Sequence, residues 1–341
     1  MMEKEKVESI KIGLLGASES GKTAYLVMLN NSLISKKLIR SIEPDGVISS
    51  WLNQFKITMF PLSGFYTLKR LHKALNDWIK GVPPPVTISL FQEKFSALLP
   101  IYKKSKKLEE LDIFIYDTPG AITHIFNETL NDLKLSPNEK PKKVMKAFYE
   151  KLQGLKKYRE GATRILEKLV MEENYDVLFI VIDPDESNVA EVDKLLFSEL
   201  FFLLPFQKNK NLTVTVLFSK SIYRGLIPKD VLTNMTLDTY LQYSFSTAVA
   251  YLSGNYPETY KLLWDWACKK KKIRFGGAFC YDAFVEATED GTAPKLIVDE
   301  SKNQYFHTFG LLFPFLNSIH ISKKKKAPLS HDAIKKVMCG K

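Results

Sequence analysis

Cysteine is scarce in this chain, and long apolar runs are absent. Only Cys268, Cys280 and Cys339 occur among 341 residues, with no C-x-x-C pair and no histidine at zinc-ligand spacing. This pattern argues against structural zinc and indicates a reducing compartment. No stretch approaches the roughly 18 consecutive apolar residues of a membrane helix, and the N-terminal MMEKEKVESI lacks the apolar centre of a signal peptide. We therefore expect a cytoplasmic protein without a transmembrane segment.

The composition is ordinary for a folded chain, but the charge balance is clearly positive. Apolar residues make up 45% of the chain and charged residues 26%, which argues against general disorder. The 49 Lys and Arg residues exceed the 38 Asp and Glu residues, leaving a formal charge of +11. This balance favours polyanionic partners such as nucleotides, nucleic acids or anionic lipids, and it is equally compatible with a role in solubility or heat adaptation.

Lysine is concentrated in three clusters, at residues 103–107, 269–272 and 323–326. No cluster is interleaved with aromatic residues, and none belongs to a recognised nucleic-acid-binding motif. Two interpretations stay open for each cluster: a solvated face, or a contact for an anionic lipid surface or a nucleic acid.

Apolar runs alternate with helical patterns, which predicts an α/β fold. Residues 176–182 form an uninterrupted apolar run, the pattern of a strand buried on both faces of a parallel sheet. The predicted strands are residues 11–15, 111–116, 176–182, 212–218 and 273–281. Residues 87–99 are expected to pair with the second of these strands as a hairpin. A helix is the alternative for this segment, because FQEKFSALL also fits a helical pattern. With helices between the strands, the sequence predicts a three-layer fold with a mainly parallel sheet and helices on both faces.

Domain organisation follows from the same patterns. We expect one domain over residues 1–322, in which helical spacing of apolar residues predicts insertions at about 45–82 and 121–173. Residues 323–341 begin with four lysines and show no core pattern. They are predicted to form a basic C-terminal tail.

The strongest motif stands at residues 16–23, which read GASESGKT between a predicted strand and a predicted helix. This is G-x-x-x-x-G-K-[ST] in its required context, in which backbone N–H groups and a helix N-terminus hold a polyphosphate. Lys22 is expected to contact the β- and γ-phosphates, and the hydroxyl of Thr23 to bind Mg²⁺. The candidate nucleotide-binding residues of this loop are Gly16, Ala17, Ser18, Glu19, Ser20, Gly21, Lys22 and Thr23.

A second acidic site is expected at the end of a neighbouring strand, because Mg²⁺ on two phosphates must also be held from the side opposite the loop. Asp117 is the best candidate, since it closes the predicted strand 111–116 and begins the sequence Asp-Thr-Pro-Gly. The alternative is an aspartate that caps a turn before a helix.

With these two motifs, the chain resembles a P-loop GTPase of the translation-factor-related class, to which Ras-like GTPases belong. Within that class it is most similar to the prokaryotic double-GTPase group, by motif over about residues 10–225 and more weakly to about 317. The resemblance implies that Asp117 acts on Mg²⁺ through water and that the N–H of Gly120 contacts the γ-phosphate. It also implies that Thr87, in GVPPPVT at 81–87, is the switch threonine that closes over Mg²⁺. An ordinary threonine at a strand start is the alternative for Thr87.

The chain departs from this family where the base is recognised. The family pattern is [NT]-K-x-D, whereas residues 219–222 read Ser-Lys-Ser-Ile. The alkyl stem of Lys220 can still stack on a purine, but the aspartate that pairs with guanine is absent, which leaves GTP and ATP both open. Asp230 and Asp238 lie too far along the chain to replace it without an unusual loop.

A second departure concerns the attacking water. Ala121 stands after the D-x-x-G motif in place of the family's Glu or Gln, and His124 is the candidate to orient the water. An ordinary surface or core histidine is the alternative. We therefore expect slow intrinsic hydrolysis, raised by a partner that supplies an arginine. Asp183, which ends the strand 176–182, is interpreted either as a Mg²⁺ ligand or as a residue that caps the following helix at Ser187.

Three functions are compatible with these residues. The leading hypothesis is a Mg²⁺-dependent GTP-binding protein, a slow GTPase that acts as a switch for a protein partner. The second is an ATP-using motor or kinase-like enzyme, for which Arg224 and Arg274 are the candidate arginine-finger or sensor residues. The third is a scaffold that binds nucleotide without hydrolysis, with the helical segment at about 133–173 as its partner-binding element.

Overall fold

A computed structural model describes the N-terminal strand and helix, scattered parts of residues 39–150, and most of the chain from residue 174 onward. The described residues are 8–34, 39–42, 73–78, 80, 82, 91–100, 108–117, 127–128, 131, 143, 146, 150, 174–228, 236–283, 285–287, 294–296, 298–299, 305–324, 327 and 329–340. The switch candidate Thr87, the motif glycine Gly120 and the histidine His124 all lie outside the described residues. Their proposed roles stay predictions.

A central sheet of six strands holds most of the core. Its strands are β1 (Glu8–Leu15), β3 (Phe91–Pro100), β4 (Leu108–Asp117), β5 (Val177–Ile182), β6 (Thr213–Phe218) and β7 (Arg274–Cys280). They are ordered β3-β4-β1-β5-β6-β7, and only β3 is antiparallel to its neighbour. All five predicted strands are therefore confirmed. Of the predicted hairpin partner, residues 91–99 form a strand rather than the alternative helix, and residues 87–90 lie outside the described residues.

The apolar composition of the inner strands is explained by burial on both faces. Every residue of β5 and of β6 is buried. Because successive side chains of a strand point to opposite faces, layers must cover the sheet on both sides. Gly13 in β1 fits this close packing, since a Cβ there would lie 2.8 Å from Cδ2 of Leu178. The predicted α/β fold with a mainly parallel sheet is confirmed.

Helices connect these strands and supply the covering layers. The helices are α1 (Lys22–Ile34), α2 (Val189–Leu203), α3 (Leu237–Tyr240), α4 (Thr247–Asn255), α5 (Pro257–Trp264), α6 (Leu312–Ser322) and α7 (His331–Cys339). Short 3₁₀ turns stand at Glu186–Asn188 and Leu204–Phe206, and π-helical turns at Leu241–Ser246 and Asp265–Lys269. Helix α6 packs across β5, β6 and β7, with the hydroxyls of Ser318 and Thr215 2.7 Å apart.

Short strands that the sequence patterns did not predict lie beside the central sheet. They are β2 (Ile39–Ile42), β8 (Asp282–Ala283), β9 (Val285–Ala287), β10 (Pro294–Leu296), β11 (Val298–Asp299) and β12 (Tyr305–Phe309). Strand β12 pairs with β2, β8 and β11, and β9 pairs with β10. Runs of two to five residues carry too few side chains for a period of two to be recognised.

The C-terminal segment is packed rather than a free tail. Helix α7 occupies residues predicted to lack core contacts, and its Ile334 and Met338 are 0% and 3% exposed. The prediction of a tail is wrong for this helix, because a single amphipathic stripe over nine residues is hidden in a lysine-rich sequence.

The cysteines also differ from expectation. Cys268 and Cys339 form a disulfide with Cα atoms 5.9 Å apart, and Cys280 is free and buried. This bond does not decide the compartment, since some intracellular proteins also contain disulfides. The reducing compartment and the cytoplasmic location both stay predictions. The two partners are 71 residues apart in sequence, and only the tertiary fold brings them together.

The predicted helical insertions fall mostly outside the described residues. Residues 73–78 are helical, as are residues 127–128, 131, 143, 146 and 150. Over the part of the chain that the structure describes, no helix is both long enough and apolar enough to cross a lipid bilayer.

Candidate functional site

The loop at residues 16–23 follows the end of β1 and enters helix α1, as the motif predicts. Gly16 and Gly21 have φ of 137° and 92°, conformations that side chains rarely adopt. A Cβ on Gly16 would overlap the backbone carbonyl oxygen of Val181 at the end of β5. The first glycine is therefore required by close contact with the neighbouring strand as well as by its φ.

Lys22 lies inside the curve of this loop. Its Nζ atom donates to the carbonyl oxygens of Gly16 and Ala17 at 2.6 and 2.8 Å and to Oγ of Ser20 at 3.4 Å, and the residue is 5% exposed. Hydrogen bonds to the loop carbonyl oxygens hold the Lys22 ammonium at a fixed position inside the curve of the loop. The loop therefore combines a fixed cation with the N-terminus of a helix of 13 residues, which together attract anions.

Helix α1 is held firmly behind the loop. The hydroxyl of Tyr25 donates to the carbonyl oxygen of Leu311 at 3.0 Å, and its ring packs edge-on against Tyr281 with centroids 5.0 Å apart. Thr23 stands in the first turn of the same helix and is half-buried. This anchoring sets the direction of the helix axis, and with it the position of Thr23 relative to the loop.

Strand β4 places Asp117 next to the loop. Asp117 is the last residue of β4 and pairs with Leu14 of β1, two positions before Gly16. The acidic residue of the D-x-x-G motif therefore ends its strand beside the start of the loop, as parallel neighbours in one sheet require. Among the described residues, no group of three His, Cys, Asp or Glu side chains forms a preassembled metal site.

The loop after β6 is tied directly to the loop at residues 16–23. Oγ of Ser219 donates to the carbonyl oxygen of Ser20 at 2.6 Å and to that of Ile182 at 3.2 Å. A Cβ on Gly21 would lie 3.0 Å from Cβ and Oγ of Ser219. Ser219 therefore links three strand ends, a role that no local pattern predicted.

Lys220 belongs to an ionic cluster beside the same loop. Its Nζ lies 2.5 Å from Oδ2 of Asp183 and 3.2 Å from the carbonyl oxygen of Glu19, and its φ is 52°. Arg224 donates to both carboxylate oxygens of Asp183 and lies 2.8 Å from Oδ2 of Asp185. The hydrogen bond to Asp183 raises the pKa of Arg224, and hydrogen bonds from Ser187 lower the pKa of Asp185.

This cluster corrects two predictions. The Asp183 carboxylate contacts Lys220 and Arg224, which argues against a direct Mg²⁺ role for it. The cap on Ser187 is made by Asp185, which accepts from the Ser187 amide at 3.1 Å. Arg274, the other arginine proposed near the site, instead donates to the carbonyl oxygen of Ile321.

Asp282 is a site residue that sequence reasoning missed. It is 2% exposed, and its Oδ2 atom accepts from the amides of Ile222 and Tyr223 at 2.6 and 3.0 Å. Its carboxylate therefore fixes the loop that follows Lys220. No local signal marks it, because the two positions are 60 residues apart.

Three features lie together at the carboxyl edge of the sheet. They are a loop at residues 16–23 whose geometry suits an anion, an acidic residue at a strand end, Asp117, and an ordered loop at residues 219–224. The loop at residues 16–23 suits a polyphosphate, and the loop at 219–224 lies where it could contact the group attached to that polyphosphate. The structure thus brings the predicted loop residues, Asp117 and Lys220 to one edge of the sheet.

Comparisons with known proteins found structural similarity only. No family model and no curated protein matches the chain. Among solved structures, it is similar to the GTPase-like domain of Ski7 from S. cerevisiae, bound to GDP and inorganic phosphate, with 13% identity, TM-score 0.31 and coverage of 79% of this chain. The chain spans only 42% of that Ski7 chain.

Two further solved structures show a similarly low sequence identity and TM-score. The SRb-GTP/SRX signal recognition particle receptor complex from Chaetomium thermophilum has 10% identity and TM-score 0.33, covering 79% of this chain and 92% of that one. Toc33 from Arabidopsis thaliana, in complex with GDP and Mg²⁺, has 11% identity and TM-score 0.34, covering 94% and 87%. At these values the assignment of the fold rests on the strand order and the loop geometry of the chain itself, which are those of an α/β P-loop protein.

Proposed function

We propose that this protein binds a nucleoside triphosphate with Mg²⁺ at residues 16–23 and acts as a slow GTPase switch for a protein partner. The observation that carries the proposal is the position of Lys22. Its ammonium is buried inside the loop, 2.6 Å from the carbonyl oxygen of Gly16, while the neighbouring strand ends in Asp117. A fixed cation, a helix N-terminus and an acidic strand end form the combination that triphosphate with Mg²⁺ requires.

The donor atoms fit Mg²⁺. The hydroxyl of Thr23 and the carboxylate of Asp117 are the hard oxygen donors that this ion prefers, and Thr87 would add a third oxygen on closure. Mg²⁺ would neutralise charge on the β- and γ-phosphate oxygens. Lys22 would bind the same oxygens, and the N–H of Gly120 would sense the γ-phosphate.

Guanine is the proposed base because Lys220 keeps the family's position. Its Nζ is held at 3.2 Å from the carbonyl oxygen of Glu19 in the phosphate loop, so its stem lies where a purine bound to this loop would stack. Hydrolysis is proposed to be slow, with His124 as the residue that orients water and an arginine supplied by the partner.

The test is nucleotide titration of a Lys22→Ala variant. We expect affinity for GTP to fall about 100-fold, since charge-assisted hydrogen bonds of about 3 kcal/mol are lost. Lys210→Ala removes the same charge from an exposed position at the opposite edge of the sheet, and it should leave affinity unchanged. Equal affinity of wild type and Lys22→Ala would contradict the proposal.

An ATP-using enzyme is the second candidate, because Ile222 stands where the family's aspartate recognises guanine. Side-by-side titration with fluorescent GTP and ATP separates the two functions. A site that bonds the guanine N–H groups should prefer GTP by several orders of magnitude, whereas equal or stronger binding of ATP favours the rival. A nucleotide-binding scaffold would bind without releasing phosphate at high protein concentration.

A further inference from the structure

The amino edge of the central sheet, opposite the loop at 16–23, carries exposed lysines. Parallel strands all begin at this edge of the sheet, so the segments that precede successive strands, and the lysines in them, lie close together here. Lys208 and Lys210 lie in the turn before β6, and Arg274 begins β7, its amide donating to the carbonyl oxygen of Leu212 before β6. The exposed lysines here, called the basic edge, are Lys208, Lys210, Lys270, Lys271, Lys272 and Lys324.

Helix α6 brings Lys324 to the same edge from a distant part of the sequence. The residue before the helix, Leu311, accepts from Tyr25 behind the phosphate loop. The residue after it, Lys323, donates from Nζ to the carbonyl oxygen of Ser9 at the start of β1, at 3.0 Å. The helix therefore runs from the carboxyl edge back to the amino edge.

Charge at the basic edge is only partly compensated. Asp265 lies 2.7 Å from Nζ of Lys270 and 4.0 Å from that of Lys269. Among the described residues, no carboxylate lies within 4.0 Å of the ammonium groups of Lys208, Lys210, Lys271, Lys272 or Lys324. Lysines from three separate segments thus form one positive surface.

Two exposed apolar side chains lie in the helices that flank these lysines in the sequence. Trp264 and Val337 are 38% and 52% exposed. The Cys268–Cys339 disulfide joins the turn after α5 to the end of α7, and the hydroxyl of Tyr260 on α5 donates to the carbonyl oxygen of Met338. These links bring α5 and the turn after it, which leads into the lysines that begin at Lys270, together with the end of α7.

We propose that the basic edge, with Trp264 and Val337, docks this protein onto an anionic lipid membrane. Lysine ammoniums act as point charges that suit a diffuse negative surface, whereas bidentate recognition of a nucleic acid favours arginine. The one arginine here, Arg274, donates to the carbonyl oxygen of Ile321. An exposed tryptophan with an aliphatic neighbour adds the amphipathic contacts that lipid headgroups favour.

The proposed orientation leaves the nucleotide site accessible. Strand β1 has eight residues, which span roughly 25 Å between its two ends. A membrane at the amino edge would therefore lie on the far side of the sheet from residues 16–23, and the loop would face the solvent. Docking needs no nucleotide, so its test is independent of the proposed function.

The test is co-sedimentation with phosphatidylcholine vesicles containing roughly a third phosphatidylserine, without nucleotide. The double variant Lys210→Glu/Lys271→Glu should bind at least about tenfold more weakly than wild type, since each lysine near an anionic surface contributes substantially to affinity. The control Lys73→Glu/Lys194→Glu makes the same charge change at exposed positions elsewhere and should bind like wild type. Thermal unfolding of both variants checks that they fold.

The effect of Trp264→Ala on binding distinguishes a lipid membrane from other polyanionic partners. The substitution should weaken vesicle binding several-fold without changing charge, and wild type should show a blue-shifted emission on vesicles that Trp264→Phe lacks. Equal losses in the two charge variants, or no binding to anionic vesicles, would overturn the proposal. So would salt-sensitive binding to duplex DNA or RNA that exceeds vesicle binding and ignores Trp264, because the partner would then be a nucleic acid.

Discussion

The two edges of the central sheet both carry cations, but they hold them in different ways. At the carboxyl edge, Lys22, Lys220 and Arg224 contact loop carbonyls or the carboxylates of Asp183 and Asp185. At the amino edge, lysines such as Lys210 and Lys271 project into solvent. The first arrangement fixes the position of each charge, as a site for a small ligand requires, and the second provides a diffuse field, as a broad surface requires.

The disulfide next to the basic edge gives the largest expected effect on stability. Cys339→Ser opens a link between residues that are 71 positions apart, for which loop-closure entropy corresponds to about 4 kcal/mol in the unfolding free energy. Urea denaturation under oxidising conditions measures the loss. A reducing agent should lower the stability of wild type to that of the variant. If neither Cys339→Ser nor reduction of wild type lowered the urea midpoint, the disulfide would not stabilise the fold.

The next largest expected effect on stability is at Gly16, the first glycine of the loop at the carboxyl edge. Gly16→Ala places a Cβ against the carbonyl oxygen of Val181 at a φ of 137°, and we expect a loss of about 3 kcal/mol in the unfolding free energy. Gly254→Ala is the matched control, since a Cβ there meets nothing within 4 Å in helix α4. That control should be neutral or slightly stabilising. If denaturation shows equal stabilities for the two variants, the tight contact does not constrain the loop.

Asp282 gives the smallest of these effects and is the sharpest test of the ordered loop. Asp282→Ala leaves the buried amides of Ile222 and Tyr223 without their acceptor and should cost about 2 kcal/mol in stability. It should also weaken nucleotide binding more than binding of inorganic tripolyphosphate, because only the base side of the site is displaced. Asp282→Asn keeps an oxygen acceptor of the same shape and should recover most of both losses. Equal weakening of nucleotide and tripolyphosphate would show that Asp282 supports the whole fold instead.

Local patterns predicted the parts of the site that are continuous in sequence. Residues 16–23 were located by spacing alone, because strand, loop and helix follow one another directly. Asp117 was expected at a strand end, and the register with Leu14 places it beside the loop. The six-stranded sheet was largely predictable for the same reason, since buried parallel strands have uninterrupted apolar runs.

The contacts that order the site were not predictable in this way. Ser219 reaches Ser20 across 199 positions, and Asp282 reaches Ile222 across 60. Asp183 was assigned to metal binding or capping, but its carboxylate contacts Lys220 and Arg224. Single polar residues carry no periodic signal, so the chain must be folded before their partners are known.

The sequence by itself determined the α/β class, the strand–loop–helix motif at residues 16–23 and the excess of positive charge, because each depends on local spacing or on composition. The tertiary structure decided which charges are paired and which face solvent. Lysines at 208, 210, 270–272 and 324 became one surface because parallel strands begin at the same edge and α6 runs back to it. The same topology placed the loop at 16–23 on the opposite edge, where β1 ends.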